Sequence, residues 1–566
     1  MKKVLATILA LVMALSLCIT VWADLPVAGE GGIVTVDKDV TLSANYEVTA
    51  NTTITVSEGA TVHTNGHSIV VKNGATLTVN GNGTIACDVT DATGMTRENS
   101  LFKVEVGGKL IIAKGNFNTN GYALLDNKGE AEISSGTFGS LNKGNKNSGS
   151  AFYVDGTGAK LTFNGGRLTT GIQTYGVYIK DGGKASFGKD CSITSEYSAI
   201  AMNNMTSPGE IQINGGVYTA GYENTEPSYA KFNGVLYLPA AATVTITDGR
   251  FAAKKDASII CMPYRNAGTK LKVEFGDFSA ENANAAFLRT VNDQKNTYTG
   301  TEANTVELTG GNYKTGKLAV FAENENYDDF VSAGYYRDKD VVNYLNDSSI
   351  VVAEVRNGYA VGKDMVDSIV ENMSESEKET ITVINGDIDL TGVPAGITVK
   401  NEGDGKVTVN ETKEVKKGDA PYTVPAKSTG GYYYYPSTPG ITAELNGSNK
   451  SATDYPGGDY GLVFRSTAAF STFQGVQVDG KTLAKSNYTA EEGSTVVYLK
   501  AAYLKTLAAG KHTVTILSTS GNTSMDFTVG GKTTAPQTFD AGVGIYAVTA
   551  VLSVTGMAWT AKKRGN

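Results

Sequence analysis

Alternation of apolar and polar residues is the dominant pattern of the chain. Short alternating runs occur at residues 33–36, 53–56, 68–71, 76–79, 159–163, 210–213 and 243–246. A period of two places successive side chains on opposite faces, which is the signature of a β-strand. We therefore predict an all-β protein.

A short glycine phrase recurs between these runs. One or two glycines, any residue and then an aromatic or large apolar residue occur at 115–117, 136–138, 165–168, 215–218, 248–251, 275–278, 310–313 and 333–336. Their spacing of roughly 20 to 35 residues is typical of solenoids, in which each coil stacks on the next. We expect the glycine to form a turn with positive φ, and the apolar residue to point inward and stack on its counterparts. The pattern predicts a parallel β-helix over residues 24–414.

One stretch has convincing helical periodicity. Within residues 364–379, Met365, Ile369, Val370 and Met373 would share one face of a helix. An open solenoid end exposes its core and its strand edges. We therefore interpret this helix as a cap or an insertion in the solenoid.

A second domain follows a linker. Residues 415–440 contain several prolines and four consecutive tyrosines at 432–435, a composition that favours an extended segment. Strand-like runs then occur at 461–464, 475–478, 495–499, 511–516 and 525–529. Turns separate these runs, which predicts a small β-sandwich over residues 441–530.

Both ends of the chain carry targeting patterns. Residues 1–23 combine Lys2 and Lys3 with an apolar run and a small-residue cleavage site between Ala23 and Asp24, as in a secretory signal peptide. Residues 541–561 form an apolar segment long enough to span a bilayer, and a basic tail follows. We expect a secreted protein that is retained at the cell surface by its C-terminal segment.

The charge composition disfavours two classes of partner. Only 19% of the residues are charged, the formal net charge is -8, and 66 residues are glycine. This composition suits an extracellular β protein. Nucleic-acid binding would require a basic patch, and so would electrostatic docking on anionic lipid. We predict no nucleic-acid partner.

The cysteines lack the spacing of a metal site. Cys18 lies in the leader, and Cys87, Cys191 and Cys261 are far apart in sequence. We expect these three to be small buried apolar residues. A disulfide across coils is the alternative.

The first part of the chain resembles a group of bacterial surface proteins. The glycine phrases, together with the segment at 64–79, resemble the β-helix repeats of large surface proteins from gut Firmicutes, which are pectin-lyase-like in fold. The resemblance covers about residues 30–410 and implies a right-handed parallel β-helix.

The second domain resembles another module. Residues 476–516 are similar to the immunoglobulin-like module of clostridial cellulases and surface proteins, often catalogued as a carbohydrate-binding type. This resemblance implies contact with a polysaccharide or the cell wall. A role as a spacer is the alternative.

Residues 531–566 resemble a Gram-positive cell-wall sorting signal. Pro536, Gln537, Thr538 and Phe539 stand where the sortase motif would lie, ahead of the apolar segment and the basic tail. The resemblance implies sortase and peptidoglycan, or the membrane, as partners. Phe539 replaces the usual glycine, so covalent wall anchoring and plain transmembrane retention both stay open.

The sequence yields no catalytic constellation. Glycoside hydrolases need two placed carboxylates, and lyases need a base, often with calcium. The acidic candidates are three neighbouring pairs, namely Asp328 with Asp329, Asp338 with Asp340, and Asp387 with Asp389. None has the spacing of a calcium loop, and His63 and His67 flank an Asn-Gly turn that disfavours a metal pair. We predict no cofactor, with calcium required only if the β-helix is an enzyme.

Tyrosine is the abundant functional side chain, with 29 residues. Aromatic faces on a rigid sheet can stack on pyranose rings, and phenol hydroxyls add hydrogen bonds. The candidate glycan-stacking residues lie in the middle coils and are Tyr175, Tyr178, Tyr197, Tyr222 and Tyr229. Tyrosines that follow the glycine phrases, such as Tyr218 and Tyr313, are expected to stack inside the core instead.

These patterns favour a non-enzymatic surface protein, an adhesin or glycan-binding protein whose partner is a polysaccharide or host glycan. Two alternatives stay open, namely a polysaccharide lyase or glycoside hydrolase on the β-helix, and a structural spacer. Three acidic residues converging in one cleft would favour the enzyme. A continuous strip of exposed tyrosines would favour binding.

Overall fold

The structure, a computed structural model, describes residues 24–26, 32–90, 92–140, 149–171, 174–202, 207–221, 234–264, 267–282, 284–290, 302–321, 327–411, 413–425, 430–434, 441–442, 460–492 and 495–529. Strands account for 54% and helices for 7%, which confirms the all-β prediction. The chain divides after Val424 into two compact units.

The first unit is built mainly from strands at three recurring positions. Strands at the first position are β1 (Ile33–Val36), β4 (Thr52–Val56), β7 (Thr76–Gly81), β10 (Lys109–Ile112), β13 (Glu130–Ile133) and β24 (Lys270–Val273). Strands at the second position are β2 (Val40–Thr41), β5 (Thr61–His63), β8 (Thr84–Cys87), β11 (Asn116–Thr119), β14 (Thr137–Ser140) and β25 (Asp277–Ala280). Longer strands pass through both positions and are β16 (Lys160–Thr170), β18 (Lys184–Ser195), β20 (Gly209–Ala220), β22 (Ala242–Ala253), β27 (Thr305–Lys314) and β29 (Val331–Tyr336).

The third position forms a separate sheet of eleven strands. Its members are β3 (Tyr46–Val48), β6 (Ile69–Val71), β9 (Phe102–Val104), β12 (Leu125–Asn127), β15 (Ser150–Asp155), β17 (Tyr175–Lys180), β19 (Ile200–Met202), β21 (Gly234–Tyr237), β23 (Ser258–Cys261), β26 (Ala286–Arg289) and β28 (Lys317–Val320). We call this the third sheet.

Each strand pairs in parallel with its counterpart in the next coil. At the first position, for example, Leu77 pairs with Leu110, and Leu110 pairs with Ala131. Inward-pointing side chains from all three positions form one continuous core cluster. Long parallel sheets around a shared core are compatible with the predicted β-helix solenoid.

The glycine phrases build an aromatic stack inside this core. The stack, which we call the inner aromatic column, consists of Phe117, Phe138, Tyr218, Phe251, Phe278, Tyr313 and Tyr336, all at most 2% exposed. From Tyr218 to Tyr336 the ring centroids of successive coils lie 4.9, 4.9, 4.9 and 4.5 Å apart. The predicted inward stacking is confirmed.

The preceding glycine makes room for each ring. Gly276 has φ +144°, and a Cβ atom there would lie 2.8 Å from the ring of Phe278. The tyrosine hydroxyls at this position donate to the carbonyl three residues earlier, from Tyr218 to Gly215 at 2.7 Å and from Tyr313 to Gly310 at 2.8 Å. The column therefore buries its hydroxyls without leaving them unpaired.

We predicted from its composition that the Asn-Gly-Gly phrase forms a turn between strands. In the structure it lies within a continuous strand instead. β16 runs from Lys160 to Thr170 straight through Gly165 and Gly166, with a register shift after Phe163. Inward positions move from Phe163 to Leu168 across this shift, which changes their parity. The extra residues bend the strand from the first position to the second, as a β-bulge does.

The parallel coils give way to a smaller mixed region with a core of its own. Its strands are β30 (Val352–Val355), β31 (Gly358–Val361), β32 (Thr380–Asn385), β33 (Ile388–Leu390), β34 (Thr398–Asn401), β35 (Val407–Val409), β36 (Lys413–Val415) and β37 (Tyr422–Thr423). β30 and β31 pair as an antiparallel hairpin, with Arg356 and Asn357 at φ 52° and 60° as in a type I′ turn.

Helix α1 packs on this second core and is shorter than predicted. It spans Lys363–Glu371 and buries Val366 and Val370. The predicted helix continued to residue 379, but Ser374 hydrogen-bonds to the Glu377 carboxylate through its backbone N–H and its hydroxyl. Such local hydrogen bonds of a serine compete with the backbone hydrogen bonds of a helix, so the chain forms turns there instead.

The second unit contains two antiparallel sheets. One comprises β38 (Gly430–Tyr434), β40 (Tyr460–Ser466), β43 (Tyr488–Glu492) and β44 (Thr495–Lys500). The other comprises β39 (Ile441–Thr442), β41 (Phe473–Val478), β42 (Lys481–Thr482), β45 (Gly510–Ser518) and β46 (Thr523–Val529). Helix α2 spans Ala501–Leu504.

The two sheets of this unit share one core, to which Leu462 and Val497 contribute from one sheet and Val476 and Ile516 from the other. Three tyrosines of the predicted linker, Tyr432, Tyr433 and Tyr434, lie in β38, where Tyr432 pairs with Phe464.

Several predicted features lie outside the described residues. These are the signal peptide up to Ala23, the sorting motif from Pro536 to Phe539, and the apolar segment at 541–561. Asp24 is described, and its carboxylate accepts hydrogen bonds of 2.7 Å from the backbone N–H and the hydroxyl of Ser43. Among the described residues, no helix combines the length and the apolar character needed to cross a bilayer.

Candidate functional site

The outer surface of the third sheet carries a continuous register of functional side chains. Strand pairing places one residue from each coil in a line, namely Lys103, Asp126, Tyr153, Tyr178, Ala201, Tyr237, Cys261, Arg289 and Val320. Neighbouring strands of a sheet lie about 4.8 Å apart. Because Phe152 and Val154 point into the core, Tyr153 between them points outward. Aromatic and charged groups thus follow one another along this face.

Six tyrosines form a connected group on and beside this line, which we call the outer tyrosine row. Its members are Tyr122, Tyr153, Tyr175, Tyr178, Tyr197 and Tyr237. Ring centroids lie 6.1 Å apart for Tyr122 and Tyr153, 5.9 Å for Tyr153 and Tyr178, 5.5 Å for Tyr178 and Tyr175, and 5.3 Å for Tyr175 and Tyr197. Tyr237 is close enough to Tyr175 and Tyr178 for each to raise its pKa. These distances suit edge and offset ring contacts.

The row is separate from the hydrophobic core. None of its six members belongs to the core cluster of the first unit, whereas Tyr218, Tyr313 and Tyr336 all do. Tyr153 and Tyr197 are buried, at 5% and 8% exposure, and the other four are half-buried. The face is therefore partly accessible rather than the fully exposed strip expected of a binding surface.

Three of the five predicted glycan-stacking residues lie together. Tyr175, Tyr178 and Tyr197 contact one another within this row. Tyr222 and Tyr229 lie outside the described residues. The sequence analysis missed Tyr122, Tyr153 and Tyr237. The alternation Ala-Phe-Tyr-Val at 151–154 could have identified Tyr153 as an outward residue between two inward ones.

A buried ion-pair group closes the N-terminal end of the row. Arg97 donates to Asp126 and, at 2.7 Å, to Asp155, and its guanidinium lies 4.4 Å from the centroid of the Tyr153 ring. Burial alone would lower the pKa of Arg97, but hydrogen bonds to the two carboxylates outweigh it and raise that pKa. Lys180 approaches Asp155 at 3.8 Å. Both carboxylates are therefore occupied by cations.

Local sequence explains why Arg97 is held so firmly. It opens a short 3-10 helix, Arg97–Asn99, that follows Thr96. The Thr96 hydroxyl accepts a hydrogen bond from the Glu98 N–H, and the side-chain Oδ1 of Asn99 accepts one from the Thr96 N–H at 3.1 Å. This reciprocal arrangement is a capping box. Asn99 also donates to the Gly66 carbonyl of an earlier coil at 3.0 Å, which fixes the helix to the solenoid.

Four phenols of the row stay protonated under physiological conditions. Burial is the main cause that raises the pKa of Tyr153, Tyr175, Tyr178 and Tyr237 above its usual value. A neutral phenol is both a donor and an acceptor of hydrogen bonds. The row therefore combines aromatic faces with polar groups that can pair with hydroxyls.

In two of the three predicted acidic pairs, one carboxylate serves local structure. Asp338 accepts from the N–H groups of Asp340 and Leu318, and Asp387 accepts from the N–H of Lys406 at 2.6 Å. His63 bonds to Asp88 at 2.7 Å. No group of three or more histidine, cysteine or acidic side chains suited to a metal ion occurs in the described part of the chain.

The described cysteines are free and buried, as predicted. Cys261 lies in the outer register between Tyr237 and Arg289, and burial raises its pKa to about 12. A protonated buried thiol is a poor nucleophile and a poor metal ligand. Cys261 therefore acts as a small filling group beneath its neighbours.

Two open clefts lie at other places on the first unit. One of about 490 Å³ is lined by Lys254, Lys255, Glu281 and Asn282. The other, of about 230 Å³, lies over glycine phrases between Gly81 and Thr137. The described lining residues of neither cleft bring three acidic groups together.

Comparison with known protein families, curated proteins and solved structures found no match.

Proposed function

We propose that this chain is a non-enzymatic cell-surface protein that binds glycans through the outer tyrosine row. The observation that carries the proposal is the row itself, six tyrosines on and beside the outer face of a parallel sheet and outside the core cluster, five of them in ring contact. Rings held on a rigid sheet offer stacking area at little cost in side-chain entropy. Their neutral hydroxyls can pair with sugar hydroxyls at the edges.

The rigidity of the scaffold supports this assignment. The strands beneath the row pair in register, with Tyr153 opposite Tyr178 and Ala201 opposite Tyr237. A polymer lying along the solenoid would meet one aromatic position every one or two strands, about 5 to 10 Å apart. Several weak stacking contacts along one polymer would then add up to useful affinity.

The remaining parts of the proposal come from the sequence. We assign the solenoid as a right-handed, pectin-lyase-like β-helix and the second unit as an immunoglobulin-like module. A signal peptide that ends at Ala23 would secrete the chain, and residues 531–566 would retain it in the wall or the membrane. The row would then be presented outside the cell.

A polysaccharide-degrading enzyme is the second candidate, and one observation favours it. Asp126 and Asp155 lie at the end of the row, where a bound sugar could reach them. Both carboxylates are hydrogen-bonded to Arg97, however, which leaves neither available as a general acid. The two candidates make opposite predictions about fragment release.

The test incubates the purified full-length protein with plant, mucin and cell-wall polysaccharides in the presence of calcium. Retained protein and released sugar fragments are measured for each polymer. We expect retention without release. Released fragments would favour the enzyme. The absence of both retention and release would contradict the proposal.

A matched pair of variants locates the binding surface. Tyr178→Ala removes a central ring of the row and should weaken retention about tenfold, which corresponds to ~1.4 kcal/mol. Tyr422→Ala removes a half-buried tyrosine of the mixed region and should leave retention unchanged. Equal effects of the two substitutions would contradict the assignment to the row.

A further inference from the structure

We propose that Arg289 is an anion-binding residue at the C-terminal end of the outer tyrosine row, and that it selects glycans bearing a carboxylate or sulfate group. This inference rests on the proposed glycan binding and names the class of glycan. It starts from a difference between two arginines on the same face. Arg97 forms ion pairs with two carboxylates, and Arg289 forms none with the described residues.

The position of Arg289 is fixed by strand register. Arg289 pairs with Cys261, and Cys261 pairs with Tyr237. The Cα atoms of Arg289 and Tyr237 are therefore two strand spacings, about 10 Å, apart. The positive charge of Arg289 also lowers the pKa of the Cys261 thiol, its neighbour in the register, although burial outweighs this effect.

The guanidinium of Arg289 has no partner among the described residues. No carboxylate there lies within ion-pair distance, and the buried Nε atom, like that of Arg97, has no hydrogen-bond acceptor. The residue is only half-exposed, so water replaces those bonds incompletely. An unpaired donor that is largely withdrawn from water is destabilising. A bound anion would remove that cost.

The chemistry of arginine defines the ligand group. A guanidinium presents its N–H donors in a planar fork that matches the paired oxygens of a carboxylate or a sulfate. In the outer register, Tyr237 lies between Arg289 and Tyr178. A sugar ring stacked on Tyr237 would direct an anionic substituent toward the fork.

Charge at the two ends of the row reinforces this assignment. At the N-terminal end, Asp126 and Asp155 would repel an anionic polymer if Arg97 and Lys180 did not neutralise them. At the C-terminal end, Arg289 has no such partner among the described residues. The row therefore offers an anionic glycan one neutralised end and one attractive end.

The test compares Arg289→Gln with Arg250→Gln. Arg250 is an exposed arginine of β22, so the second variant makes the same change of net charge away from the third sheet. Polygalacturonate and hyaluronan are each paired with their carboxyl-reduced forms, and chondroitin sulfate with its desulfated form. The affinity of the full-length protein is measured for every polymer at low salt.

We expect the wild-type protein to prefer at least one anionic form over its neutral or desulfated partner. Arg289→Gln should abolish that preference and lower affinity about tenfold to a hundredfold, the range for hydrogen bonds to charged groups. Arg250→Gln should leave it intact. If wild-type affinity is lower for the carboxyl-reduced polymers, the recognised group is a carboxylate. If it is lower for the desulfated polymer, the recognised group is a sulfate.

Other outcomes separate this inference from the proposed function. Binding to neutral and anionic forms alike, or equal effects of the two glutamine variants, would overturn the role of Arg289 and leave glycan binding intact. No binding to any polymer would overturn both. Arg289→Lys keeps the charge without the fork, so it should lose most of the preference even if Arg289→Gln folds poorly.

Discussion

The inner aromatic column and the outer tyrosine row run along the same solenoid and contain the same kinds of ring contact, but we assign them different roles. In the column, Tyr313 is fully enclosed and its hydroxyl is bonded to the Gly310 carbonyl. In the row, Tyr178 is half-exposed and lies outside the core. A tyrosine whose ring and hydroxyl are both satisfied internally serves stability. One that retains an open face is available to a ligand.

The same contrast holds for charge. The column contains no ionised side chain, whereas the row ends in Arg97 at one side and Arg289 at the other. Arg97 stabilises the fold because it forms ion pairs with two carboxylates. Arg289 lacks such partners among the described residues. Three tests can break or sharpen this division, and they follow in order of expected effect on stability.

The largest effect should come from a ring of the column. Phe278 contacts Phe251, Tyr313 and Phe287 at 4.9, 4.9 and 5.0 Å. Phe278→Ala should lower the free energy of unfolding by about 3 to 5 kcal/mol, because it leaves a cavity in a close-packed core. Tyr178→Ala should cost about 1 kcal/mol or less. Urea unfolding followed by circular dichroism measures both, and similar losses would remove the distinction.

The two arginines should differ next. Arg97→Met leaves Asp126 and Asp155 buried without a full complement of partners and should cost about 3 kcal/mol. Arg289→Met removes a charge that has no partner in the described part of the chain, and it should leave the free energy of unfolding unchanged or raise it. The thermal midpoints of the two variants provide the comparison. A large loss for Arg289→Met would mean that its charge is needed by the fold.

Alkaline unfolding should show the smallest difference. Burial raises the pKa of Tyr218, Tyr313 and Tyr336 above the usual value near 10. The folded state then keeps protons that the unfolded state releases, so stability present below pH 10 is lost as the pH rises through the folded pKa values.

Replacing these three tyrosines by phenylalanine should therefore move the alkaline unfolding midpoint to higher pH. At neutral pH the same variant should lose about 1 kcal/mol for each hydroxyl–carbonyl bond removed. Tyr178→Phe should move the alkaline midpoint less, since burial raises its pKa in a half-exposed site. An equal shift in both variants would contradict the contrast.

The column was predictable from sequence, and the row only in part. Each ring of the column follows a glycine that makes room for it, so the phrase marks its position directly. Tyr153 and Tyr237 carry no such mark, because their line is created by the stacking of coils of unequal length. The isolation of Arg289 depends on which side chains the neighbouring coils bring near it. Strand alternation alone does not specify those neighbours.

Local rules failed where the chain had to change direction. Asn164, Gly165 and Gly166 have the composition of a turn, but the coil needs a bend within a continuous strand at that point. The apolar face near Met373 continues past the end of α1, and Met373 is buried in the second core although it lies outside the helix. In both places tertiary packing decided an outcome that local composition left open.

The most direct test measures glycan retention for two multiple variants of the full-length protein. The first is Tyr178→Ala with Tyr237→Ala in the row, and the second is the triple phenylalanine variant of the column. The row variant should lose retention while its thermal midpoint changes little. The column variant should have a lower thermal midpoint and bind as the wild type does. Unchanged retention in the row variant would contradict the account.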